Sequence, residues 1–257
     1  MQNFAFTVPS VMQRIYDAMD ERGRLPRDFS LRQAMEPEGS AQGFYYSDGF
    51  MEGNITGLEK GEEESPELQE ILQQILDGAY DQAVQGLQAF FGKGEDRFMN
   101  AYVLPLQQEI DAHREELDPE PLIWFAHRLL QEADQEEIIK FALSLLEFFD
   151  LQEEEDVAED IRLLARCNEF TLFCVRDFLQ WTDGQEEIFQ TARQVYGWGR
   201  IAALEYLEPR TAPIRQWMLE EGWDNDVNPV YTARLLADHV DLLGVLERPT
   251  LTAQAFE

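Results

Sequence analysis

The chain is poor in the residues from which metal centres, nucleophilic sites and phosphate-binding surfaces are built. It has two cysteines and three histidines in 257 residues. Cys167 and Cys174 lie seven apart, with Asn168 expected to break the helix between them. Two buried, reduced thiols are expected there, as in a reducing compartment, and not a disulfide. None of the histidines lies in an HExxH run. The residues three before His113, His127 and His239 are Ile110, Trp124 and Leu236, so the Glu-x-x-His pair of a di-iron bundle is missing. Glu109 stands four before His113, the spacing of an ordinary exposed helical contact. A P-loop, a GxSxG elbow and a GxGxxG turn after a strand are likewise missing. No catalytic residue, metal or cofactor is therefore expected.

Long hydrophobic runs are also lacking. LIWFA at 122–126 is far too short to span a bilayer, and MQNFAFTVPSVMQRIYD has neither the basic start nor the apolar stretch of a signal peptide. A cytoplasmic protein without a membrane partner is expected. Basic residues are scarce as well: 20 Lys plus Arg stand against 51 Asp plus Glu, a net charge of −31. Nucleic-acid affinity comes mainly from Lys and Arg displacing condensed counterions, so nucleic acid is excluded as an expected partner. The expected partner is a basic protein or peptide, drawn in by electrostatic steering.

What the chain does have is a core. It is 44% hydrophobic and 12% aromatic, enough for a globular protein of this length. Ser10 is placed to cap a first helix running through Val11, Ile15 and Met19 toward Gly23. Residues 24–62 then crowd turn formers with aromatics, and Asp48-Gly49 between FYYS and FMEGNIT predicts a small β-hairpin. Ser65-Pro66 reads as a cap followed by a first-turn proline. From there apolar residues recur at helical spacing, as in Leu68, Ile71, Leu72 and Ile75, or Ile138, Phe141, Ala142, Leu145 and Leu146. The expected fold is all-α, with an N-terminal helix and irregular or hairpin cap over 1–62 and a helical domain over 63–257.

Helix pairs recur within that domain. Their first helices are expected near Glu136, Glu169, Gly199 and Asn228, which by subtraction are 33, 30 and 29 residues apart. Segment 199–222, GRIAALEYLEPRTAPIRQWMLEEG, has an apolar helix, a turn in which Thr211 can cap the next helix, and an amphipathic helix closed by glycine. Segment 170–197 has the same layout, with Ile188 in the place of Ile214 and Gly197 in that of Gly222. Over about residues 136–250 this layout resembles the short, roughly 30-residue class of HEAT-like repeats, including those of phycobiliprotein lyase-type proteins. The resemblance implies a curved α-solenoid, an α-α superhelix of HEAT-like pairs with an extended concave surface. An orthogonal helix bundle is the alternative. No functional residue of the lyase family maps onto a position here.

Asp224-Asn225-Asp226-Val227-Asn228 opens like a calcium loop, but its sixth position is Pro229 and its twelfth Leu235. It therefore reads as a linker in which Asn228 caps the next helix.

Charge is uneven along the chain. Residues 60–165 carry 27 acids and 7 bases, whereas residues 166–216 carry 7 acids and 6 arginines. The second stretch also holds Trp181, Tyr196, Trp198, Tyr206 and Trp217, a composition typical of interface hot spots and equally of a helical core. The functional expectation is a non-catalytic protein-binding module in which Gln190, Arg193, Arg215 and Gln216 on the second helices face a groove. The alternative is an enzyme, or a lyase- or chaperone-like protein, holding a small molecule under the N-terminal segment. That segment is a lid in the second reading and an end cap in the first.

Overall fold

The computed structural model describes residues 4–35, 47–52, 64–92, 97–114, 118–240 and residue 244. Among these residues there are thirteen α-helices of five residues or more and no strand. They are α1 (Val11–Asp17), α2 (Leu31–Met35), α3 (Pro66–Leu76), α4 (Tyr80–Phe91), α5 (Val103–Ala112), α6 (Pro119–Glu132) and α7 (Glu136–Leu146). The chain continues with α8 (Glu155–Leu164), α9 (Thr171–Phe178), α10 (Gly184–Ala192), α11 (Trp198–Tyr206), α12 (Ala212–Glu220) and α13 (Pro229–His239). No helix among the described residues is long and apolar enough to cross a membrane.

Helix starts follow local chemistry. Ser10, Ser65, Asp118, Thr211 and Asn228 each accept a hydrogen bond from a first-turn N–H that the helix itself leaves unpaired. Proline opens α3, α6 and α13, where its missing N–H forfeits no helical bond. Each such cap stabilises its helix by about 1 kcal/mol.

The helices pack as a row. α3 lies on α5, α5 on α7, α7 on α9, α9 on α11 and α11 on α13, while α10 fits against both α9 and α11. Every residue of α7 from Ile138 to Leu146 is buried, which makes it the central helix, touching α4, α5, α6 and α9. Burial of each large apolar side chain there contributes about 1.5–3 kcal/mol. Tight spacing also requires Gly184. A Cβ at that position would sit 1.7 Å from the Phe178 carbonyl oxygen, so only glycine lets α10 begin this close to the end of α9.

Several hydrogen bonds join residues about 30 apart in the chain. His127 donates to Asp160, 33 residues on, at 2.8 Å. The Asp183 N–H donates to Gln152, 31 residues back, at 2.8 Å. The Gly199 N–H reaches Asn168, also 31 back, at 2.9 Å, and His239 reaches the Leu207 carbonyl, 32 back, at 3.0 Å. These bonds tie successive parts of the helical row together.

The N-terminal segment lies along this row and shares its core through Val11, Ile15 and Leu31. Phe4 packs edge-on to Trp124 and Phe125, the Val11 N–H donates to the Ala133 carbonyl, and Arg166 donates to the Gly23 carbonyl. Farther along, Arg27 bonds Asp224 and Asp226 and stacks on Tyr196, whose other cationic neighbour is Arg200. The acids of the calcium-like run are thus paired with a guanidinium. Gly49 turns the chain as expected, with φ of 78°, yet residues 50–52 continue as a helical turn where the second hairpin strand was expected. Tertiary contacts described below override the local hairpin signal. The remainder of the expected hairpin lies outside the described residues.

Candidate functional site

Of the four expected surface residues, Gln190 lies on α10 with Arg193 just after its C-terminal end, and Arg215 and Gln216 lie on α12. On α10, Gln190 donates to Glu186 at 2.6 Å, and Arg193 reaches Gln190 at 3.5 Å while lying over the Phe189 ring. On α12, Gln216 donates to Glu220 at 3.1 Å, and Arg215 donates to the Pro209 carbonyl at 2.8 Å. Arg193, Arg215 and Gln216 are exposed and Gln190 partly so. Each pair bonds within its own helix or to the loop ahead of it. What joins the two helices is the apolar contact of Phe189 with Trp217, ring centres 5.5 Å apart.

The aromatic and arginine composition that suggested hot spots is mostly internal. Trp181, Trp198 and Trp217 are buried. Arg200 is buried too, donating to the carbonyls of Val195, Glu221 and Asp224. Arg176 forks onto Glu147 and also reaches Gln107, and Arg210 pairs with Glu208. Arg166, Arg176, Arg200 and Arg210 of the near-neutral stretch thus close loops or join helices, while Arg193 and Arg215 stay exposed. Cys167 and Cys174 are free, buried thiols, and burial pushes both above the ordinary thiol pKa.

Acidic residues form two contrasting groups. One is the approach to α8, where Glu153, Glu154, Glu155, Asp156 and Glu159 are all exposed. Among the described residues none of the five takes part in an ion pair. Glu155 and Asp156 occupy the first turn of α8, where the helix dipole favours negative charge.

The other group is centred on buried Glu52, Glu169 and Lys140, with Asp48, Glu136 and Glu137 partly exposed around them. Residues 47–52 lie across the N-terminal ends of α7, α9 and α11. Trp198 at the start of α11 donates through its indole nitrogen to Ser47 at 2.9 Å and meets the Phe50 ring edge-on at 5.2 Å. Asn100 donates to the Met51 carbonyl at 3.1 Å. Gly49 presses so closely on the turn before α9 that a Cβ there would lie 2.6 Å from the Asn168 carbonyl. Glu52, 5% exposed, ends the segment against Lys140 of α7, itself 2% exposed, with Nζ to Oε1 of 2.5 Å. Lys140 also bonds Glu137 one turn earlier at 2.7 Å, and the other oxygen of Glu137 accepts from the Met99 N–H.

Two further acids crowd this pair. Glu169, 6% exposed, accepts a bond from the Cys167 thiol at 2.8 Å on one oxygen, while its other oxygen is buried without a partner. Burial pushes its pKa to about 8, with the charges of Glu136 and Asp48 adding to the effect. Burial likewise lifts Glu136 to about 7 against the pull of Lys140, helped by Glu137, Glu52 and Asp48. Burial alone would lower Lys140, but Glu137, Glu52 and Glu136 more than offset it and hold the ammonium charged. Chemically the node is a charged lysine bridging two carboxylates, with two more carboxyls that keep protons near neutral pH. Among the described residues no group of three or more His, Cys, Asp or Glu side chains is arranged to hold a metal ion.

Sequence reasoning missed this node. Its one readable trace is Lys140, the sole charged residue in the mostly apolar IIKFALSLL at 138–146. Comparison of the chain with protein-family models, with curated proteins and with solved structures gives no match.

Proposed function

We propose that this chain is a HEAT-like helical-repeat module that binds a basic protein or peptide and has no catalytic role of its own. The observation that carries this reading is the run of exposed carboxylates at Glu153, Glu154, Glu155, Asp156 and Glu159, none of them ion-paired among the described residues. Several acids elsewhere are matched by arginines: Glu147 by Arg176, Glu187 by Arg162, Asp224 and Asp226 by Arg27. An unmatched acidic face on α8 attracts positive charge over a Debye length and accelerates encounter with a basic surface. The second helices α10 and α12 follow α8 along the chain. They would contribute hydrogen-bonding specificity through Gln190, Arg193, Arg215 and Gln216, since steering alone gives rate more than affinity.

The test is capture of partners by the tagged chain at low salt, repeated with two variants. One carries Glu153→Gln, Glu154→Gln, Glu155→Gln and Asp156→Asn, and the other Arg193→Glu and Arg215→Glu. A stoichiometric basic protein, lost on raising the salt and lost from the α8 variant, is the expected result. Recovery of only neutral or acidic proteins, or equal recovery by all three chains, would overturn the proposal.

A further inference from the structure

The node beneath residues 47–52 contains more acid than its lysine can balance. Asp48 and Glu52 enter from the segment itself, Glu136 and Glu137 from the first turn of α7, and Glu169 from the turn ahead of α9. Lys140 bonds two of these five. The remaining groups facing them are few. Ser30 bonds Asp48, Arg32 of α2 acts on Asp48 through its charge, and the Cys167 thiol donates to Glu169. Glu169 also has its unpartnered buried oxygen, the mark of a group held where its charged form is poorly solvated.

The contacts that fasten the segment include the Trp198 indole on Ser47 and Phe50, Asn100 on the Met51 carbonyl, Ser30 on Asp48, the close seat of Gly49 on Asn168, and Lys140 on Glu52. We propose that residues 47–52 are a releasable latch over the N-terminal ends of α7, α9 and α11, held by Trp198, Asn100 and Lys140 and opposed by the excess of carboxyls gathered beneath it.

Like charge gathered in a poorly hydrated space opposes closure. With Glu136 and Glu169 neutral, Lys140 is shared between Glu137 and Glu52 and the latch can close. Each proton lost adds a negative charge facing Asp48 and Glu52. Opening rehydrates both carboxyls and returns them toward their ordinary value of 4.5, against about 7 and about 8 when closed. A group whose pKa is raised in the closed state stabilises that state fully below the open-state value. The advantage drains as pH climbs to the closed-state value and is constant above it. Opening is thus promoted about tenfold per pH unit for each carboxyl across that window. Release uncovers Lys140, Asn100 and the Trp198 indole at one end of the helical row, independently of the acidic face on α8.

Amide hydrogen exchange of residues 48–52 tests the latch, measured on the full chain at pH 5, 7 and 9 and corrected for the intrinsic pH dependence of exchange. The Phe50 amide, bonded to the Ser47 carbonyl at 3.0 Å, is the natural reporter. The expected result is opening that increases by about 100-fold or more from pH 5 and levels off above about pH 8, while amides inside α7 and α9 stay protected. The Glu136→Gln, Glu169→Gln double variant should abolish the rise. Should that variant fail to fold, Glu169→Gln alone removes the carboxyl lifted furthest and should cut the rise at least tenfold. Corrected exchange that does not change with pH, a rise that persists in the neutral variant, or parallel loss of protection in α7 and α9 would each overturn the latch.

Discussion

The approach to α8 and the node under residues 47–52 use the same residue types in the same number for opposite physical ends. At α8 five acids stand in water, and each keeps its hydration shell. At the node five acids from three stretches of chain gather around one buried lysine; Glu52 and Glu169 are buried with it while Asp48, Glu136 and Glu137 are partly exposed, so that charge at its centre must be matched, shared or removed by a proton. Net charge of −31 says nothing about this division, because a formal charge counts both groups alike. Burial decides that one group can serve as a recognition surface and the other as a structural device.

The sharpest way to break the comparison is to remove the cation. Lys140→Met keeps the volume of a long side chain on α7 but leaves Glu52 and Glu137 facing each other without a counter-charge. Breaking a buried pair from one side costs about 3–5 kcal/mol, and urea denaturation should register a loss of that size. Adding Glu52→Gln and Glu137→Gln to Lys140→Met should recover part of it, since the stranded charges are then gone. A loss below about 1 kcal/mol would place the lysine in the class of surface pairs and erase the contrast with α8.

The next effect is in the pH dependence of stability. Glu136 and Glu169 have pKa values raised to about 7 and about 8 in the folded chain. Their contribution is therefore complete below about pH 4.5 and is lost as pH rises toward 8, on the order of a few kcal/mol in total. The urea midpoint should fall across that interval in the parent chain and remain flatter in the Glu136→Gln, Glu169→Gln variant. Parallel curves for the two chains would show that these carboxyls are hydrated after all.

Smaller again is the effect of the backbone that seats residues 47–52. Gly49 sits at φ of 78°, and a Cβ would collide with the Asn168 carbonyl at 2.6 Å and the Trp198 Cβ at 3.1 Å. Gly49→Ala should cost about 1–2 kcal/mol from the left-handed conformation alone. The collision should in addition shift the segment off Trp198, visible as a change in tryptophan emission. Unchanged emission with unchanged stability would mean that the segment does not bear on the helix ends.

Much of the fold can be read from the sequence because it is written in short-range terms. Ser10, Ser65, Thr211 and Asn228 cap the helices expected of them, and first helices expected at Glu136, Glu169, Gly199 and Asn228 begin at Glu136, Thr171, Trp198 and Pro229. Spacing and caps act within a few residues. Asp48-Gly49 shows where this reach ends: the turn forms, but Phe50 and Glu52 are claimed by Trp198 and by Lys140, 88 residues away from Glu52. Likewise Trp181, Trp198 and Trp217 carry no local mark that distinguishes an interface from a core, and burial assigns them to the core. The node was illegible for the same reason, since Glu169 and Glu52 become unusual only through the company that folding gives them.

The smallest expected change is also the most discriminating, because it separates stability from recognition. Neutralising Glu153, Glu154, Glu155 and Asp156 removes two first-turn charges that the α8 dipole favours, worth about 0.3–1 kcal/mol each at low salt. It also relieves repulsion within a chain of net charge −31, an effect of opposite sign and similar size. The two nearly cancel, so urea stability should move by less than about 0.5 kcal/mol, and by still less at high salt, where both are screened. Association with a basic partner should nevertheless slow by roughly tenfold or more at low salt, since steering depends on the field and not on folding. Stopped-flow association rates of parent and variant, each at low and high ionic strength, would show the two rates converging as salt is raised. A variant that loses several kcal/mol of stability, or that associates as fast as the parent at low salt, would mean that the acids of α8 belong with those of the node, as parts of the structure and not of its surface.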